Sequence, residues 1–482
     1  MQTPLPPQRL PPIEHSSNVQ LAAAVEELPQ NPTGNGPTEP VLAGQPEKLL
    51  SGDVARPIRI ALFDAIETSL MQNPDLTALR RNEGVSVGAL GVAQTYPFNP
   101  YVQVQVTPFQ HVPVIGSRAT AHYVLVMQTI QLAHQQRHRE SMALAALQSV
   151  RWNILQAELL NIALTERLYF TAQYLKGVRD LQFANAEVNR QLLSVVEKQL
   201  AAGDATGADA AIARLDNQSA RQQAELADAN YQAALLDLRR QLNLPLEIPC
   251  ELAGGLEDIH WASAAGDNLL RMKCGLFAVD STDSGPLPAI GQSPLADLVA
   301  GRPDVLAAHA DLAAANANAS LANASRVPDL QVGPYYARNE GNATFVGLRA
   351  QMDVPVWNTG TPLLRQRQAE SRQRRAVWEQ LHARAQIEAQ TAIDRYERAR
   401  RLVAAGRQAQ GESLPTALAR LEEQFRAGDI DIIRVVTART SLLQVRRVAL
   451  DSLNELAQSA AAVTAATGIR PELLFSTGPP MR

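Results

Sequence analysis

Apolar positions along this chain follow two periods. Val102, Val104 and Val106 alternate with Gln103, Gln105 and Thr107, and the same period of two returns where Val346, Leu348, Ala350, Met352 and Val354 alternate with Gly347, Arg349, Gln351 and Asp353. Each stretch reads as a strand with one apolar and one polar face. Elsewhere the period is helical: Val178, Leu181, Val188, Leu192 and Val195 fit a three-four heptad grid. That grid lies inside a helical pattern over residues 134–202, with a counterpart over 362–427. At ~1.5 Å per residue such helices run on the order of 100 Å, too long for a globular core and suited to coiled-coil packing.

These stretches come in the same order twice. Asn73-Pro74-Asp75-Leu76 returns as Arg302-Pro303-Asp304-Val305, and residues 197–204 return 225 positions later as 422–429, with Leu193, Val196 and Leu200 falling on Leu418, Leu421 and Phe425. Register held over that span predicts two structural repeats, 58–244 and 292–470, joined by a segment at 245–291 and followed by a C-terminal tail at 471–482. Each repeat is expected to open with a short helix and then a longer one starting at a proline, because first-turn N–H groups have no intrahelical partner to lose. These are 64–71 and 74–95 in the first copy, and 295–300 and 303–325 in the second. Two strands follow in each, about 98–110 and 121–132, then about 328–338 and 344–356. The long helices are expected to stop at Gly203 and Gly428 as left-handed caps, with Asp204 and Asp429 starting return helices at 207–242 and 431–467.

Four strands of barrel-spanning length cannot close a barrel, and an open edge costs several kcal/mol per unpaired group in lipid, so several chains must pool their strands. Geometry alone permits a dimer or a trimer. Composition changes this picture in three ways. The first 57 residues hold 11 of the 30 prolines, which predicts an extended tail at 1–57. They lack the basic start, apolar run and small-residue cleavage site of a secretory signal, and the only cysteines are Cys250 and Cys274, so no N-terminal lipid anchor is expected. A formal net charge of −4 without a basic tract removes the footprint of a nucleic-acid binder. No apolar run approaches a membrane-spanning helix, so a bilayer would be crossed as a β-barrel.

With those features in place, the chain resembles the TolC-type outer-membrane efflux factors over residues 58–472. The resemblance rests on Gly301-Arg302-Pro303-Asp304-Val305 with an Ala/Asn-rich helix after it, and on Ser325-Arg326-Val327-Pro328-Asp329-Leu330 entering a strand. Val354-Pro355-Val356-Trp357-Asn358-Thr359-Gly360 leaving a strand and Phe425-Arg426-Ala427-Gly428 at a tip complete it. It implies a mainly α chain with a β-barrel part, a homotrimer with a 12-stranded outer-membrane barrel, and an α-helical tunnel extending into the periplasm. It also implies a passive, non-enzymatic conduit without cofactors, docked to a periplasmic adaptor (membrane-fusion protein) and an inner-membrane pump. Arg302-Pro303-Asp304 resembles the branch serving resistance-nodulation-division pumps. The segment 245–291 would form an equatorial collar with the C-terminus, and Cys250 and Cys274 are a candidate disulfide across it, which an oxidising periplasm permits.

The chain departs from the family at the tip. Members commonly carry an acid six positions after the second tip glycine; here that position is Arg434, followed by Thr437, and the acid sits in the first copy at Asp209. Asp209, Asp431, Arg434 and Thr437 are thus entrance candidates, with Arg434 and Asp209 expected to approach one another and hold the entrance closed. The alternative is that both are solvated tip residues. Asp209, Asp216, Gln223, Asn230 and Asp237 recur every seven residues and are candidates for a tunnel lining; the other reading is the solvated outside of a coiled coil. His134 and His138 sit one helical turn apart, yet nothing in sequence completes a metal set, so no metal site is expected. No phosphate loop, nucleophile elbow, Cys-x-x-Cys or dinucleotide fingerprint occurs. The reading from a different class is a soluble or periplasmic coiled-coil scaffold or adaptor. Against the barrel stand Pro334 inside the third strand and poor alternation over 122–131, while Tyr335 and Tyr336 are expected at an interface belt.

Overall fold

The computed structural model describes residues 58–111, 118–203, 205–245, 249–264, 294–339, 341, 343–409, 420, 423 and 432–476. Its first half runs β1 (Ile58–Ile60), α1 (Leu62–Gln72), α2 (Pro74–Gln94), β2 (Tyr101–His111), β3 (Arg118–Ile130), α3 (Gln135–Ala202) and α4 (Gly207–Gln241). Two short strands, β4 (Cys250–Leu252) and β5 (His260–Trp261), lead towards the second half. That half runs α5 (Pro294–Ala300), α6 (Pro303–Ala324), β6 (Leu330–Arg338), β7 (Thr344–Met352), α7 (Thr361–Ala409), α8 (Ile432–Thr467), α9 (Pro471–Leu474) and β8 (Phe475–Ser476). The order short helix, proline-started helix, strand pair, long helix, return helix therefore occurs twice. Pro74 and Pro303 each occupy the first turn of their helices, as their spacing predicts. Beyond Ala409 only Arg420 and Glu423 of the expected 362–427 helix are described, both helical.

β2, β3, β6 and β7 form one antiparallel sheet in that order. Its register gathers the apolar positions on one face. Val102, Val104 and Val106 oppose Val126, Val124 and His122; Val124 opposes Tyr336; and Tyr336, Pro334, Val332 and Leu330 oppose Val346, Leu348, Ala350 and Met352. Val104, Val346 and Leu348 are exposed on it. The poor alternation expected over 122–131 thus belongs to a strand whose partners continue the apolar face on both sides. Pro334 does not end its strand, contrary to expectation. β6 continues through it, and the ladder to β3 skips only Val126 and Met127, where proline has no N–H to give. A Cβ at the adjoining Gly333 would overlap the Val126 carbonyl oxygen, so only glycine fits this close approach. Of the two tyrosines expected at a belt, Tyr336 lies on the apolar face and is exposed, and Tyr335 does not share that face. It lies on the opposite face, where Gly347 leaves room for its ring and Tyr123 stacks on it at 6.0 Å.

The core sits where the long helices meet the short strands. β1 pairs with β4 in parallel and β5 with β8 antiparallel, so the inter-half segment is tied to the first and last described strands. Phe170 of α3 packs edge-on against Phe475 at 5.4 Å and against Trp261 at 5.8 Å, and Phe63 stacks on Phe475. Further along α3, Val178, Leu181, Leu192 and Val196 are buried, while Val188 and Val195 are half-buried. No described helix is long and apolar enough to cross a membrane.

Candidate functional site

The helices stand side by side in the same order as the strands above them. Near the sheet the packing order is α2, α3, α6, α7; farther along it is α4, α3, α8, α7. One lateral edge of the wall is therefore β2, α2 and α4, and the other is β7 and α7. α4 shows what such an edge requires. Its buried line Ala210, Ala213, Asn217, Ala220, Ala224, Ala227, Tyr231 and Ala234 faces α3. A second line at heptad spacing, Ile212, Leu215, Leu226 and Leu236, lies about 200° around the helix and is exposed. The first of these seams meets α3, and the second is open along the lateral edge.

The expected lining candidates fall between these seams. Asp209 and Asp216 are half-buried, and Gln223, Asn230 and Asp237 are exposed. On the opposite flank Leu235 enters the core that holds Cys250 and Leu252, so the polar line faces away from the short strands. At the tip, Gly203 has φ +86 and stops α3, as predicted. The return helix does not begin at Asp204. Its N-cap is Thr206, whose hydroxyl accepts the Asp209 N–H while the Asp209 carboxylate accepts the Thr206 N–H at 2.9 Å and its hydroxyl at 2.6 Å. These bonds hold the Asp209 carboxyl below its usual range. Its first commitment is thus to a capping box, a role the Thr-x-x-Asp spacing itself could have signalled. Arg434 and Thr437 are exposed in the first turns of α8, and Val436 between them packs against the cluster containing Ala210 and Val196. This brings α8 beside the first tip. Among the described residues no ion pair joins Arg434 to Asp209. Asp204, Gly428, Asp429 and Asp431 lie outside the described residues.

Three buried polar groups hold the wall to the short strands, and none was read from sequence. Tyr169 of α3 donates to the carbonyl of Ala253 at 3.0 Å or of Ile60 at 3.2 Å, and Gln173 donates to Ala253 at 2.7 Å. Burial pushes the Tyr169 phenol up to about 12, so it stays a donor. Tyr396 of α7 repeats the arrangement 227 positions on, reaching the carbonyls of Ala262 at 2.6 Å and Leu474 at 3.2 Å. Arg302, 5% exposed, forks onto Asp304 at 3.0 and 2.6 Å and reaches Glu388 at 3.4 Å and the Ala466 carbonyl at 3.0 Å, joining α6, α7 and α8. Glu166 of α3 is fully buried, and among the described residues neither of its carboxyl oxygens has a hydrogen-bond partner. The neighbouring Thr464 hydroxyl is turned to the Ala460 carbonyl at 3.4 Å. Burial pushes the Glu166 carboxyl up to about 8 against a weaker lowering by Thr464.

His134, with φ +58, is the N-cap of α3, and its carbonyl accepts the His138 N–H at 3.4 Å, so the two histidines stand one turn apart at the helix start. His138 lines an open hollow of about 550 Å³ with Ala133, Ser320, Asn323, Leu364 and Gln368. Among the described residues no group of His, Cys, Asp or Glu could hold a metal ion. Cys250 is buried in β4, and Cys274 lies outside the described residues.

Solved channel structures share this fold. A structure of CusC, described for its conformational changes accompanying folding and transmembrane channel formation, matches with a TM-score of 0.63 at 18% identity, covering 84% of this chain and 91% of that one. The fold is that of the TolC-type channels. VceC of Vibrio cholerae, an outer membrane protein, matches the TolC-type fold here at 0.62 and 15% identity, over 84% of this chain and 96% of its own. The open state of the MtrE outer membrane channel of Neisseria gonorrhoeae matches at 0.61 and 16%, over 84% and 88%. No protein-family model matches the chain, and no curated protein matches it.

Proposed function

We propose that this chain is a passive outer-membrane channel of a tripartite efflux or secretion system. Three copies close a 12-stranded barrel and a periplasmic helical tunnel. The observation that carries this reading is the pair of open lateral edges. β2, α2 and α4 form one side and β7 and α7 the other, so successive copies join head to tail until the ring closes. The exposed seam of α4 then meets α7 of the next copy, and the apolar sheet face meets lipid. A soluble scaffold would leave Val104, Val346, Leu348 and Trp357 in water. The cargo is small molecules or ions, delivered by a periplasmic adaptor and a pump of the resistance-nodulation-division type, the pump type resting on the Arg302-Pro303-Asp304 motif. The line Asp209, Asp216, Gln223, Asn230 and Asp237 faces the bore, since the short strands occupy the other flank of α4 and would block a conduit from inside. Arg434 and Thr437 border the periplasmic entrance, together with Asp431 and the tips at Gly203-Asp204 and Gly428-Asp429.

The test is the mass and ion conductance of the full-length chain purified in detergent and placed in a planar bilayer. A conducting particle of three chains is expected. A water-soluble, non-conducting monomer or dimer would overturn the reading. If Arg434 helps hold the entrance closed, Arg434→Gln raises the conductance, and an unchanged conductance removes that role.

A further inference from the structure

Immediately below the sheet, the chain leaves β7 at Met352 and passes through Val354, Val356 and Trp357, all exposed, with Trp357 96% exposed. The turn that presents this tryptophan is fixed by an arginine. Arg326, exposed after α6, donates its Nε to the Thr359 carbonyl at 3.2 Å, and its Cγ lies so near Gly360 (φ +68) that a Cβ there would meet it at 2.9 Å. Four residues into α7, about 6 Å along the helix, comes the exposed Arg365.

Arg365 has a defined direction. Continued at seven-residue spacing, its line passes Arg372 and reaches Ile393, Arg400 and Arg407. Ile393 is buried in the core with Cys250 and Leu252, Arg400 pairs with the Glu397 that receives the Ala264 N–H at 2.7 Å, and Arg407 reaches the Glu257 carbonyl at 3.4 Å. The line therefore faces the short strands, on the outside of the wall. At the start of α3, Arg137 is also exposed. Neither Arg137, Arg326 nor Arg365 forms an ion pair among the described residues, whereas Arg367 beside them is satisfied by Glu370 at 2.8 Å. Asp329, Asp353 and Glu140 share this level, and Glu140 accepts from Gln136 at 2.9 Å.

We infer that Arg137, Arg326 and Arg365, set beneath the exposed Trp357, bind the anionic phosphate headgroups of phospholipids in the leaflet facing the periplasm. The inference rests on the outer-membrane reading above. An indole at the apolar boundary with guanidinium groups just beyond it matches the depth order of a phospholipid, acyl chain and then phosphate. Planar guanidinium groups fork onto phosphate oxygens, which a zwitterionic lipid offers without net charge and an anionic one offers with it. Each arginine near an anionic surface strengthens binding about fivefold.

The experiment is native mass spectrometry of the full-length chain in detergent, with phosphatidylglycerol or phosphatidylcholine added. Preferential retention of phosphatidylglycerol is expected, weakened by salt, and reduced about fivefold by Arg365→Gln alone and further by the R137Q/R326Q/R365Q variant. Equal retention of the two lipids, or unchanged retention in the triple variant, overturns the inference. If the arginines line the bore, the triple variant shifts the reversal potential while lipid retention stays unchanged, which also overturns it. Absence of conductance by the unmutated chain is separate and would strike the channel reading itself.

Discussion

The two halves of the chain solve the same problems with different chemistry. Asn73 starts α2 as a plain side-chain cap, accepting the N–H groups of Asp75 at 2.9 Å and Leu76 at 3.2 Å. At the matching place before α6, Arg302 gives that role to Asp304, whose carboxylate accepts the Val305 N–H at 2.9 Å, and spends its own guanidinium on α7 and α8. One turn nearer the sheet than the tyrosine ties, the contrast reverses. The residue 227 positions after the buried Glu166 is Ile393, which is also buried. The first half thus carries its vulnerable polar group in mid-helix, and the second carries it at a helix start. A duplicated backbone plan does not require duplicated stabilisation, only that each polar group removed from water be answered somewhere.

Removing either answer should reveal the asymmetry. Arg302→Ala strands Asp304 in a half-enclosed site and frees three helices from one another, and should cost about 3–5 kcal/mol. Asn73→Ala at the matching position should cost only about 1 kcal/mol. Denaturant midpoints of the detergent-solubilised chain would compare the two, and equal losses would erase the distinction.

Next comes the pH response. Glu166 in the folded chain keeps its proton up to about 8, whereas a free carboxyl loses it near 4.5. Between those values the folded chain binds more protons than the unfolded one, so its stability falls as pH rises from about 4.5 to about 8. The loss is on the order of 5 kcal/mol. Glu166→Gln should flatten the thermal midpoint across that range; a slope unchanged by the substitution would place the titrating group elsewhere.

The tyrosine clamps give a finer comparison. In Tyr169→Phe the Ala253 carbonyl keeps Gln173 and the Ile60 carbonyl keeps the Ala253 N–H, so the cost should be about 0.5–1.5 kcal/mol. In Tyr396→Phe the Leu474 carbonyl keeps the Ala262 N–H, but the Ala262 carbonyl loses the side-chain donor described for it, so about 1–3 kcal/mol is expected. The smallest effect belongs to the first tip. Thr206→Ala should cost about 1 kcal/mol, seen as faster amide exchange over the first turn of α4 and no change near α2.

Much of the fold was legible because its long elements carry punctuation. Pro74, Pro303 and Gly203 mark helix ends through backbone constraints that hold wherever those residues occur, and β2 and β7 announce themselves by period. Boundaries decided by side-chain competition were harder. Asp204 and Thr206 are both good caps, and only the acid three residues after Thr206 tips the choice. β1, β4, β5 and β8 span two or three residues each, too short for any period. Glu166, Tyr169 and Tyr396 sit inside helices where neither spacing nor composition separates a buried clamp from an exposed polar residue. Pro334 looked disruptive because its remedy, the missing side chain at Gly333, acts across strands.

The open edges also have a genetic consequence. A chain altered along β7 still offers an intact β2 edge, so it would be recruited into growing rings that it cannot complete. On the proposed head-to-tail assembly, such a variant produced beside the normal chain would withdraw normal copies from use, and its phenotype would be dominant. A variant that never folds would leave those copies untouched and would be recessive.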